Sequence, residues 1–194
     1  MIARYTLVGW LAMLMLGPMA GRAGADGGFQ MLDLKSMVNM DWRDEVWGDG
    51  RGYLTANTPR MQAAVGFLAD VPVKLADCRI STSNRCASIL VASWDGKPLA
   101  QSKHILITAV GRSRNTDMAY SRGGQRLIAI GKPPVLLEGV RGTVRLARGG
   151  PCTVTALSPY GYKTADIRAT SEGGATVVPL DGRNKAAYYD VQFP

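Results

Sequence analysis

Residues 88–110, SILVASWDGKPLAQSKHILITAV, constrain the fold of this chain more than any other stretch. Two apolar runs, ILVASW at 89–94 and ILITAV at 105–110, flank Asp95-Gly96, with Pro98 just behind. Asp-Gly between hydrophobic runs is a strong hairpin signal, because its turn needs positive φ values that Gly tolerates and Asp permits. A tight turn at Asp95-Gly96 is therefore expected. Both runs are nearly continuous in apolar residues, so each strand should be buried on two faces rather than one. Trp94, ending the first run, is expected in the core. Two such strands belong at the centre of a sandwich.

The rest of the chain repeats this theme in shorter pieces. Apolar or alternating runs occur at 53–56, 61–68, 71–75, 127–130, 135–138, 143–147, 152–157, 164–170, 175–180 and 187–193. Gly (23 residues) and Pro (10 residues) fall mostly between them, which suits many turns and few helices. In the last run Tyr189, Val191 and Phe193 alternate with Tyr188, Asp190 and Gln192, so the first set should face the core. Residues 111–124 (GRSRNTDMAYSRGG) form a long polar loop in this reading, and loops of that length are commonly functional or disordered. Short strands at roughly ten-residue spacing with Gly/Pro turns predict an all-β fold, an antiparallel β-sandwich of many short strands.

Residues 1–25 are set apart. Arg4 provides a positive start, LVGWLAMLML at 7–16 a short apolar core, and Ala23-Gly24-Ala25 an A-x-A cleavage pattern. That is the layout of a secretory signal peptide. The apolar run is too short for a membrane span, which needs roughly 20 residues. The expected organisation is a signal peptide at 1–25 and one β-sandwich domain at 26–194, secreted or periplasmic after cleavage. Losing 1–25 removes Arg4 and Arg22 and no acid, so the formal charge falls from +8 to +6. The basic residues are scattered rather than clustered, and export argues against a nucleic-acid partner.

Three cysteines in an exported chain leave one unpaired. Cys78 and Cys86 bracket Ser81-Thr82-Ser83-Asn84, so they are expected to face each other across a hairpin, where they could form a disulfide. Cys152 alternates with Val154 and Ala156, which suits a buried free thiol. With one histidine, His104, and no C-x-x-C, neither a zinc site of Cys and His nor a cofactor is expected.

Several segments occur in an order that resembles a known arrangement. They are 52–68 (GYLTANTPRMQAAVGFL), 93–99 (SWDGKPL), 111–116 (GRSRNT), 133–146 (PPVLLEGVRGTVRL), 156–161 (ALSPYG) and 180–190. Together they resemble the C-terminal β-domain that follows the catalytic barrel in bacterial cellulase-like, retaining (β/α)8-barrel glycoside hydrolases. The resemblance covers about residues 32–194. It implies an accessory domain that packs against a barrel, and it carries over no catalytic residue, since the catalytic carboxylates of such enzymes lie in the barrel. The expected function is that of a secreted, non-catalytic accessory domain that binds carbohydrate or docks onto a catalytic partner. The alternative is a remnant or subunit with a structural role only; a glycosidase in its own right ranks below both.

The candidate sites follow from that ordering. A glycosidase needs two carboxyls about 5–9.5 Å apart. Asp41, Asp44, Glu45, Asp49, Asp117 and Glu138 offer no spacing or motif for such a pair. His104 lacks a nucleophile elbow, G-x-S-x-G, to serve, and reads as a structural or solvent-facing histidine. Sugar rings stack their C–H faces on aromatics and satisfy their hydroxyls with polar side chains. Trp42, Trp47 and Tyr120, with Arg112, Arg114, Asn115 and Asp117, are the carbohydrate-binding candidates, and Tyr160 and Tyr162 also fall in turns. Partners implied are a polysaccharide, a catalytic barrel, or a second copy of the chain meeting an apolar face that a barrel would cover.

Overall fold

The computed structural model describes residues 38–39, 52–122 and 126–194. The proposed signal peptide and Trp42, Trp47, Asp41, Asp44, Glu45 and Asp49 lie outside the described residues. Strands make up most of what is described, and no α-helix occurs there. The all-β expectation holds.

Two antiparallel sheets face each other. The larger has eight strands: β1 (Val38–Asn39), β2 (Tyr53–Asn57), β3 (Met61–Phe67), β6 (Cys86–Ser93), β7 (His104–Val110), β17 (Tyr188–Gln192), β13 (Thr153–Leu157) and β14 (Lys163–Ile167), in that spatial order. The smaller runs β15 (Thr170–Glu172), β16 (Ala175–Leu180), β12 (Gly142–Leu146), β5 (Cys78–Thr82) and β4 (Val73–Lys74). One buried cluster joins them: Ile89, Val91, Ile105, Ile107, Val154, Tyr189 and Val191 from the large sheet meet Ile80, Val144, Leu146, Val178 and Leu180 from the small one. Alternate residues on each inner face make this contact, the arrangement expected of a sandwich. Gln62, fully buried on β3, ties the layers with a polar clasp: its Nε2 donates to Asp77 Oδ2 at 2.7 Å and its Oε1 accepts from Asp77 N at 3.0 Å.

β6 and β7 pair in register from Ser88↔Val110 to Ser93↔Ile105 at the centre of the large sheet. Ile89 to Ala92 are buried in succession, as are Ile107 to Ala109, so both strands are covered on two faces as their composition requires. The connection differs from expectation. Residues 94–103 form a ten-residue loop rather than a tight turn; Gly96 has φ 74, but Asp95 does not take a left-handed conformation. Asp95 instead shapes the loop by accepting hydrogen bonds from Ser93, Lys97, Ser102 and Lys103.

The cysteine expectation is also corrected. Cys78 starts β5 in the small sheet and Cys86 starts β6 in the large one, so no hairpin sets them opposite each other. All three cysteines are free. Burial, reinforced by the Asp77 charge, pushes the Cys78 thiol up to about 12. Cys152 is half-buried against the core.

Candidate functional site

β7 ends at Val110, and the chain then leaves the sandwich. The described residues of 111–138, expected as a polar loop and two sandwich strands, instead build two successive two-stranded ladders that together make an arm. β8 (Ser113–Thr116) pairs with β11 (Lys132–Leu137), and β9 (Ala119–Tyr120) pairs with β10 (Leu127–Ala129). Neither pair joins either large sheet. The arm is built from its own contacts. Asn115 Nδ2 donates to Ile130 O at 3.0 Å, Thr116 Oγ1 to Pro134 O at 2.8 Å, and Lys132 pairs with Asp117 at 3.1 Å. Gly131, at φ 76, lies so close to β8 that a Cβ there would sit 2.3 Å from Thr116 O.

The root of the arm is clamped. Arg112 grips Glu138 through two guanidinium nitrogens, at 2.8 and 3.2 Å, while Glu138 N donates to Arg112 O. That bidentate guanidinium lowers the Glu138 pKa against the opposing effect of burial. Behind it, buried Asn84 donates to Gly139 O at 3.0 Å and accepts from Arg141 N at 2.7 Å, and Thr82 Oγ1 donates to Arg141 O. A polar cleft of about 450 Å³ opens beside this root, with Arg85, Arg141 and Arg183 around Glu138. Arg183 is tied to Asp181, whose pKa its hydrogen bonds hold down at about 2.

The arm's side chains are unusual in one respect: its apolar residues face water. Leu127, Ile128, Ile130, Val135, Leu136 and Leu137 are all exposed, Ile128 and Ile130 by more than two-thirds. Cross-strand partners share a face, so Leu136 lies with Arg114 on one side of the ribbon, while Val135 and Leu137 lie with Asn115 and Ser113 on the other. Both faces are therefore part apolar. Isolated exposed apolar residues are ordinary, but a contiguous group signals an interaction surface. Among the described residues, Arg114, Arg122 and Arg126 have no carboxylate partner, which leaves the arm basic.

The sequence candidates divide accordingly. Arg112, Asn115 and Asp117 are used in building the arm, while Arg114 and Tyr120 remain open to solvent on it. Among the described residues, Tyr160 and Tyr162 are the most exposed tyrosines, on the turn after β13. That turn emerges at the same end of the sandwich as the arm, because Leu157, Tyr188 and Thr108 are aligned across β13, β17 and β7. Asp117 and Glu138 stand at opposite ends of the β8–β11 ladder, roughly 15 Å apart by strand rise. That is beyond the reach of a glycosidase pair.

Trp94 is the other correction. It is 57% exposed, on the outer face of the large sheet, with its ring 6.2 Å from that of His104. The short strands expected at 127–130 and 135–138 are present but belong to the arm rather than to the sandwich; Pro133 and Pro134, inside β11, fit this placement, since prolines are excluded from central strands. Among the described residues, no group of three or more His, Cys, Asp or Glu side chains could hold a metal ion, and no helix is long and apolar enough to cross a membrane. No protein-family model, curated protein or solved structure matches the chain.

Proposed function

We propose that this chain is a non-catalytic docking domain of an exported glycoside-hydrolase system, and that its arm seats in a partner carrying the catalytic barrel. The observation that carries this reading is the arm itself, clamped by hydrogen bonds at its root and part apolar on both faces. A clamped root means that little conformational entropy is lost on binding, which favours docking over a loose tether. The resemblance of the motif order to that of barrel-associated β-domains supports the same reading.

Two other occupants fit the arm less well. A lipid surface takes one apolar face of an amphipathic element, whereas this ribbon divides its apolar residues between both faces, and its unpaired edges would leave backbone groups unsatisfied in hydrocarbon. A second copy would bring one basic arm against another, and Pro133 and Pro134 remove two donors from the β11 edge that strand addition would use. A cleft with apolar walls and acidic rims meets both the shape and the charge.

The test is sedimentation velocity of the protein mixed with the purified barrel glycoside hydrolase encoded in the same genome. The wild type forms a complex, and the triple variant Ile128→Ser, Val135→Ser, Leu137→Ser weakens it by more than about tenfold, the usual result of losing a buried apolar anchor. Equal binding by the two proteins, or none by the wild type, contradicts the proposal.

A further inference from the structure

The far end of the sandwich carries a second surface, independent of the arm. Trp94 N donates to His104 O at 2.8 Å, so the two residues face each other across β6 and β7. His104 is aligned with Gln192 on β17, and Gln192 with Thr153 on β13. The register therefore lines up Trp94, His104, Gln192 and Thr153 in one row on the outer face of the large sheet. Four adjacent strands spaced about 4.8 Å apart make this row about 14 Å long. Asp190 lies in the next row and fixes the middle of it: His104 Nε2 is 2.5 Å from its Oδ1, and Gln192 Nε2 donates to its Oδ2 at 2.8 Å. At the Thr153 end the row opens into a shallow cleft of about 360 Å³, between Cys152, Thr153, Gln192 and Phe193.

We propose that this row is a binding site for a short neutral oligosaccharide, with Trp94 as the stacking platform. The exposed indole offers a flat apolar face to the C–H side of a pyranose ring, while Gln192, Thr153, Asp190 and His104 supply donors and acceptors for hydroxyls at successive strand spacings. The side chains are held before any ligand arrives, since Asp190 braces both His104 and Gln192. A peptide adding as a strand is ruled out, because the row lies on the face of central strands whose main-chain groups are already paired. An acidic sugar would meet the Asp190 carboxylate, so the neutral class is favoured.

Calorimetric titration of the full chain with cellohexaose, xylohexaose and mannohexaose tests this. At least one hexaose binds the wild type. Trp94→Ala weakens that binding by about tenfold or more, Trp94→Phe stays within about threefold, and Gln192→Ala falls between them. Tyr120→Ala, on the arm, leaves it unchanged. Trp94 is largely exposed, so thermal melts of the Trp94 variants should match the wild type and confirm that they fold. Absence of binding by all three hexaoses up to about 10 mM, or binding that persists in Trp94→Ala, overturns the proposal. Neither outcome touches the docking role of the arm, whose partner and readout are separate.

Discussion

Asp95 does more than mark a turn. Its Oδ1 accepts from Ser93 Oγ at 2.9 Å, Ser102 Oγ at 2.8 Å and Lys97 N at 3.2 Å, and its Oδ2 accepts from Lys103 N at 2.8 Å. Desolvation opposes the charge, but these four donors outweigh it and hold the carboxyl well below its usual range. A depressed folded pKa gives stability that is fully present above the unfolded value, near 3.8, and is lost as pH falls through the folded one. Asp95→Asn should therefore cost about 1 kcal/mol at neutral pH, a modest figure because the group is solvent-exposed, and the difference should shrink below about pH 4. Urea melts at pH 7 and pH 3 measure both. The cysteines make a second test at this scale: thiol titration in denaturant without reductant should count all three, with Cys78 the slowest to react in the folded protein. A count of one would mean a disulfide. Asp95-Gly96 was legible as a chain reversal. Its conformation was not, because the same dipeptide serves a two-residue turn or, with Ser102 and Lys103 in reach, a longer loop.

Among the elements, strands with a two-sided environment were the easiest to read. The continuous apolar runs of β6 and β7 and the alternation in β12 and β17 follow directly from burial. β8 to β11 were not legible in the same way, because composition reports hydrophobicity and not what an apolar strand packs against. Ile128 and Val135 look like core residues and have no core beneath them. Close strand approach is equally silent in composition. Gly142 on β12 lies so near β5 that a Cβ would be 2.1 Å from Ser81 O and 2.8 Å from Thr82 Cα. Both atoms are backbone and cannot swing away. Gly142→Ala should destabilise the sandwich by several kcal/mol, on the order of 3 or more, seen as a large drop in the thermal midpoint. Gly96→Ala meets open space but keeps a left-handed φ of 74, so it should cost only about 1 kcal/mol.

For the whole molecule, the two ends of the sandwich carry different surface features. The end reached by the loops after β5, β7, β13 and β16 carries the arm, the basic cleft and the exposed Tyr160 and Tyr162. The other end carries Trp94 and the polar row. The core cluster contains no residue of the arm, so folding of the sandwich should not depend on it. Replacing residues 113–137 with a short Gly/Ser linker should shift the thermal midpoint by no more than a few degrees, about what 1 kcal/mol produces in a domain of this size, and should abolish partner binding. Hydrogen–deuterium exchange of the protein alone and with the barrel enzyme tests the central claim most directly. The docking account predicts added protection at residues 113–116 and 132–137, while the face around His104 and Gln192 is unchanged. Protection confined to that far face, or absent from the arm, would contradict it.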